Sequence, residues 1–260
     1  MDSTFADEFE DHEAPSKGGR KLDIRRLLGF LVIAACIGAL WNTPFIKPLK
    51  LFVVFLHEAS HALATVATGG KVVDIQIFFT EGGMARSLGG SRFWTLMAGY
   101  LGSLLWGGAI LIVASRTRLT RALAVAIGLA VAGVTLFHVR NLAGWGFGAA
   151  FGGAMIAGGL LVREGVVNWM LRVIGLTSCL YAIYDISSDV LMRPEVGSDA
   201  RMLAEYTSFP PFLATTHQTL FWGGLWMALS IVATVAILRI AATAKPAGKN
   251  RIKKIGKSVV

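Results

Sequence analysis

From Leu27 to Leu238 the chain repeats one feature, apolar runs of about 18 residues separated by short polar stretches, and about 18 residues is the length that crosses a bilayer. Backbone N–H and C=O groups find no water in hydrocarbon, so a chain crossing repeatedly must satisfy them internally, as helices do. The runs fall at about Leu27–Trp41, Leu49–Thr68, Phe93–Ala114, Ala122–Val139, Leu142–Val162, Val166–Met192 and Leu220–Leu238. They predict a polytopic α-helical membrane protein, integral and multi-pass. Composition agrees: 54% of the 260 residues are hydrophobic, only 16% are charged, and the mean hydropathy is +0.61. A soluble domain carries about a quarter charged residues. A water-soluble enzyme is excluded.

The charges sit mostly at the two ends. Six of the 16 carboxylates precede Ala14, and the basic residues cluster in Lys17–Arg26 and Arg239–Lys257. Basic residues flanking apolar spans are anchors at lipid headgroups and set topology. The net charge of +9 is therefore read as contact with the lipid bilayer, and no nucleic-acid partner is expected. Residues 1–26 read as a disordered cytosolic tail, 27–240 as the membrane domain, and 241–260 as a basic C-terminal tail. Seven spans would put the tails on opposite sides, whereas the positive-inside tendency favours both in the cytosol and an even number. The count is six or seven. Cys36 and Cys179 both lie in apolar runs and provide no disulfide framework.

Gly69-Gly70 is a helix-stop signal after the second run. Beyond it Val73, Ile75, Ile77 and Phe79 alternate with Asp74, Gln76 and Phe78, the period of a strand. Gly82-Gly83 is expected to make a turn and Met84–Leu88 a return strand, giving a small β-hairpin. Glycine-rich stretches such as Gly99–Ser103 and Gly152–Gly159 are expected to let helices pack closely. Residues 193–217 read as a polar loop, and Arg140-Asn141 as a span boundary.

Ionisable groups at membrane depth are costly and point to function. Away from span ends the carboxylates are Glu58, Asp185 and Asp189, and the histidines at depth are His57 and His61. His57-Glu58-Ala59-Ser60-His61 is an HExxH motif. On a helix, residues four apart share a face, so both imidazoles can hold one metal ion while Glu58 serves as general base. A catalytic zinc ion, Zn2+, takes three protein ligands plus water. Asp185 is the expected third ligand because it lies deeper in its span, with Asp189 as the alternative. Ser198-Asp199-Ala200 reads as the cap of a helix that starts within the loop.

With these residues in view, the sequence resembles the site-2 proteases, zinc metalloproteases that cut within membranes, and in particular their short compact branch. The likeness rests on His57–His61 in a membrane helix, Thr68-Gly69-Gly70, Glu81-Gly82-Gly83, Ala98–Ser103, Tyr184-Asp185-Ile186 and Ser198-Asp199-Ala200. It covers residues from about 50 to 230. It implies zinc at His57 and His61, Glu58 as base, and Asp185 as third ligand. Asp185 is followed by Ile186 where better-known members carry an Asp-Gly pair in a proline-containing loop, so Asp185 and Asp189 both stay open. The implied activity is hydrolysis of peptide bonds in membrane-embedded protein substrates. The alternative is a non-proteolytic metal-binding membrane scaffold that keeps the motif.

Overall fold

The computed structural model describes residues 22–243. The expected tails, 1–26 and 241–260, lie largely outside the described residues. Of these, residues 24–26 and 241–242 are helical. Helix α1 (Ile24–Ala39) starts three residues earlier than the apolar run, because Asp23 caps it by accepting the Arg26 N–H at 3.2 Å. At 16 residues it is about 24 Å long, short of a hydrocarbon core of about 30 Å. The other six apolar runs each form a helix long and apolar enough to cross a membrane.

Helix α2 (Lys47–Ala67) takes Pro48 in its first turn and ends where Gly69 adopts φ 86°. That left-handed conformation suits glycine and lets the Gly70 N–H close the last turn onto the Thr65 carbonyl. A two-stranded antiparallel sheet follows, β1 (Lys71–Phe78) and β2 (Gly82–Leu88). The chain then runs through α3 (Arg92–Arg116), α4 (Thr120–His138), α5 (Leu142–Leu161) and α6 (Glu164–Asp185). Helix α6 continues as a π-helical segment, Ile186–Leu191, followed by the short α7 (Asp199–Thr207) and the long α8 (Thr215–Ala242).

The hairpin differs from expectation at its turn. The turn is Phe79–Glu81, with Glu81 at φ 68°, while Gly82 and Gly83 already belong to β2, opposite Phe78 and Ile77. A bulge between Val72 and Asp74 leaves Val73 out of the ladder and exposed, so only Ile75 and Ile77 of the alternating set are buried. Across the strands, Arg86 grips Asp74 with both Nε and Nη2. This fork holds the Asp74 carboxyl below its ordinary value of 3.8.

Arg140-Asn141 does more than end a span. The Arg140 N–H donates to the Ile75 carbonyl at 3.1 Å. The Asn141 side chain accepts from the Ile77 N–H at 3.1 Å and donates to its carbonyl at 2.7 Å. This junction thus satisfies the outer edge of β1 as a third strand would. The unpaired edge of the hairpin is β2.

Small residues bring the helices together, as expected where lipid offers no hydrophobic drive for helices to associate. A Cβ on Gly128 of α4 would lie 2.6 Å from the Gly152 carbonyl of α5, and one on Gly107 of α3 would lie 2.3 Å from Ser178 of α6. At one end of the bundle the first and last described residues meet: the Asp23 N–H donates to the Ala242 carbonyl at 3.1 Å, and Arg116 reaches the Ile240 carbonyl. The base of the hairpin meets the end of α2 and the start of α3, and the hairpin runs back along α2 so that its tip reaches Lys50 in the first turn of that helix.

Candidate metal centre

Helical spacing does what the motif requires. His57 and His61 stand one turn apart on α2 with ring centroids 4.7 Å apart. The third member of the group comes from α7. Asp199 Oδ2 lies 2.9 Å from His57 Nε2 and 3.1 Å from His61 Nε2. Among the described residues, His57, His61 and Asp199 are the one group of three whose ligand atoms lie within 4.8 Å of one another. Ligand atoms around a tetrahedral ion bound at about 2.05 Å stand about 3.3 Å apart, so the two His–Asp199 distances need to open by only a few tenths of an ångström.

The surroundings fix these donors. His61 Nδ1 faces the Thr95 carbonyl at 2.6 Å. A carbonyl only accepts, so Nδ1 carries the proton and Nε2 presents its lone pair to the centre. The His57 ring meets the face of Tyr100 edge-on at 4.8 Å. Gly99 of α3 provides the room: a Cβ there would lie 2.4 Å from His57 Nε2 and 2.6 Å from His61 Cε1. Gly83 does the same for Glu58, since a Cβ there would lie 2.5 Å from Glu58 Oε1. A glycine inside a strand here marks close approach to a side chain rather than a turn.

Asp199 is the first residue of α7, where the helix dipole favours an anion. Ser198 caps that helix as expected, accepting the Arg201 N–H at 3.3 Å. The stretch read as a polar loop is in part a packed helix, with Ala200, Leu203 and Ala204 fully buried against α3 and α8. Their i, i+3, i+4 spacing after a serine cap was the available signal.

The expected third partner, Asp185, stands outside the group, and so does Asp189. Both line the same cavity, of about 990 Å³, that holds His57, Glu58, His61 and Asp199. Asp189 is committed to an ion pair with Arg193. Counting only carboxylates on spanning helices passes over Asp199, because a nine-residue helix docks it from a connecting segment. Glu58 is buried beside the two histidines, with the β2 backbone against it.

Six membrane-length helices and a largely buried His-His-Asp group that could hold a metal ion, beside an HExxH glutamate, are the features of a membrane protein of the metallopeptidase kind. A family model described as Peptidase M50B-like matches residues 30–237, and the chain belongs to that family, the site-2-protease family of intramembrane metalloproteases. No curated protein and no solved structure gives a significant match.

Proposed function

We propose that this protein is an intramembrane zinc metalloendopeptidase that hydrolyses peptide bonds of membrane-embedded protein substrates. The observation that carries the reading is the convergence of His57, His61 and Asp199 within 3.1 Å of a shared carboxylate oxygen, with Glu58 on the same cavity wall. In this reading those three residues hold the zinc, and Asp199 takes the role that the sequence suggested for Asp185 or Asp189.

When bound, zinc supplies Lewis acidity that polarises a peptide carbonyl and acidifies water. Glu58 takes a proton from the attacking water at a carboxylate oxygen and returns it to the leaving amide nitrogen, so that one water is added across the broken C–N bond. The Thr95 carbonyl keeps His61 in the ligating tautomer, and Tyr100 keeps the His57 ring from turning. A substrate helix hides its peptide bonds in internal hydrogen bonds and must unwind first. The free edge of β2, which lines the cavity through Gly82–Ser87, offers an unwound segment the backbone partners it has lost.

The test is zinc stoichiometry together with cleavage, in purified full-length protein. Wild type is expected to hold about one zinc. His57→Ala and Asp199→Asn lose it, while Asp185→Asn and Asp189→Asn keep it. Glu58→Gln keeps zinc and abolishes cleavage of single-span peptides. Zinc-loaded wild type that behaves like Glu58→Gln in cells and in vitro would replace the peptidase with the metal-binding scaffold. Zinc lost in Asp185→Asn and kept in Asp199→Asn would return the third ligand to α6.

A further inference from the structure

Lys50 is a cation in the first turn of α2, two turns before His57 and, at 6% exposed, buried. An ammonium in such a place is costly unless it is paired. Its partner is Glu81 of the hairpin turn, with Nζ donating to Oε2 at 3.0 Å. The Trp41 ring lies 4.8 Å from Nζ and adds a cation–π contact. Trp41 in turn packs on Tyr184 and Tyr181 of α6, with centroids 4.9 and 5.8 Å away. Tyr181 Oη donates to the Glu81 carbonyl at 3.4 Å. One turn residue is thus held through its side chain by α2 and through its backbone by α6.

The backbone of Glu81 makes this arrangement more pointed. At φ 68° it occupies the left-handed region, which glycine adopts freely and a glutamate adopts only with strain. The turn itself has no use for a carboxylate, and Lys50 does. Strain of this kind persists where the surroundings over-determine a conformation. Two residues further on is Gly83, whose Cα faces the Glu58 carboxylate. The Lys50–Glu81 pair therefore sets how far the β2 edge stands from the residue proposed as general base, and both ends of that span are referred to α2.

We propose that Lys50 and Glu81 are positioning residues: a latch between α2 and the hairpin tip that holds the free edge of β2 in register with Glu58. The inference rests on the peptidase reading for its consequence in catalysis, but the latch itself is a statement about where the hairpin is held. With the latch broken, a bound segment is displaced from Glu58 while the metal-binding group stays intact.

Zinc-loaded full-length protein in nanodiscs tests this with Lys50→Met, Lys50→Arg, Glu81→Gln and Glu81→Gly. Amide hydrogen exchange over residues 79–88 reads the tip, exchange over 92–116 and zinc content read the fold, and a quenched single-span peptide reads kcat and KM. Lys50→Met and Glu81→Gln should speed exchange at the tip at least about tenfold, leaving the fold readouts unchanged. Their kcat should fall roughly ten- to a hundredfold with KM within about threefold, since a shift of about 1 Å at the reacting groups costs that much. Lys50→Arg keeps the cation and should recover both. Glu81→Gly relieves the left-handed strain, so a turn that mattered only as structure would become tighter, whereas the latch requires it to loosen as Glu81→Gln does. Tip exchange within twofold of wild type in both Lys50→Met and Glu81→Gln would overturn the proposal, as would a tighter tip in Glu81→Gly or loss of zinc in either Glu81 variant. If wild type cleaves no peptide the peptidase reading falls, and the exchange data still decide the latch.

Discussion

Gly99→Ala adds one methyl group at the point where α3 passes the two histidines. The added carbon would lie 2.4 Å from His57 Nε2 and 2.6 Å from His61 Cε1, where contacts tighter than 3.0 Å essentially never occur. Reaching even a tight 3.4 Å requires a displacement of about 1 Å. The imidazoles are poorly placed to give way. His61 is tied through Nδ1 to the Thr95 carbonyl, and His57 is bounded by the Tyr100 ring and Asp199. Either α3 moves away from α2, or a ligand nitrogen moves by several times the roughly 0.2 Å that a metal site tolerates. The first route costs about 1–3 kcal/mol of stability. Moving α3 also carries away Thr95, the partner that orients His61, and loss of such partners lowers metal affinity about 10- to 100-fold. Competition with a chelator of known affinity, on wild type, Gly99→Ala and the control Gly146→Ala, measures the effect. Gly146 has open space where a Cβ would go, so its variant should match wild type. Zinc affinity for Gly99→Ala within twofold of wild type would refute the placement of the histidines against α3, whatever became of activity.

Three further outcomes follow from other parts of the molecule. The Asp74 carboxyl is held below 3.8 by Arg86, so the pair stabilises the hairpin fully above that value and loses its contribution as pH falls through the lower folded-state value; exchange protection over 71–88 should be flat from neutral pH to about 4 and then drop, and Asp74→Asn should remove the step. Alternate N–H groups of an edge strand point outward, so of Met84→Pro and Ala85→Pro the one that removes an outward N–H should abolish peptide cleavage while keeping zinc, whereas proline at exposed Val73, in the bulge of β1, should leave cleavage near wild type. Because the described segment enters and leaves the bundle at the end where Asp23 meets Ala242, and Arg25, Arg26, Arg116, Arg118, Arg121 and Arg239 flank the helices there, that end should face the cytosol; without Cys36 and Cys179, an impermeant maleimide should label Ser208→Cys in intact cells and Arg118→Cys only after permeabilisation, and the reverse pattern would refute the orientation.

The sequence by itself determined the solvent of this protein and two of the three members of its candidate metal-binding group. Span length is fixed by bilayer thickness, and the apolar runs from Leu49 onward needed no partner to be recognised as helices. A four-residue spacing on a helix is equally local, so His57 and His61 share a face wherever α2 is placed. Strand alternation from Asp74 to Phe78 announced the hairpin, though the turn was misplaced: Gly82 and Gly83 resemble turn residues, and the approach of Gly83 to Glu58 explains the second of them. The third member of the candidate metal-binding group was decided by tertiary structure alone. Asp199 lies 142 positions from His57 in the chain, and no periodicity links the two. Their meeting depends on α7 burying Ala200, Leu203 and Ala204 against α3 and α8. The same holds for Lys50 with Glu81 and for Asn141 with Ile77, each a polar group whose partner sits on another element. Local pattern follows from the geometry of one helix or strand, whereas the pairing of distant polar groups follows from how those elements pack.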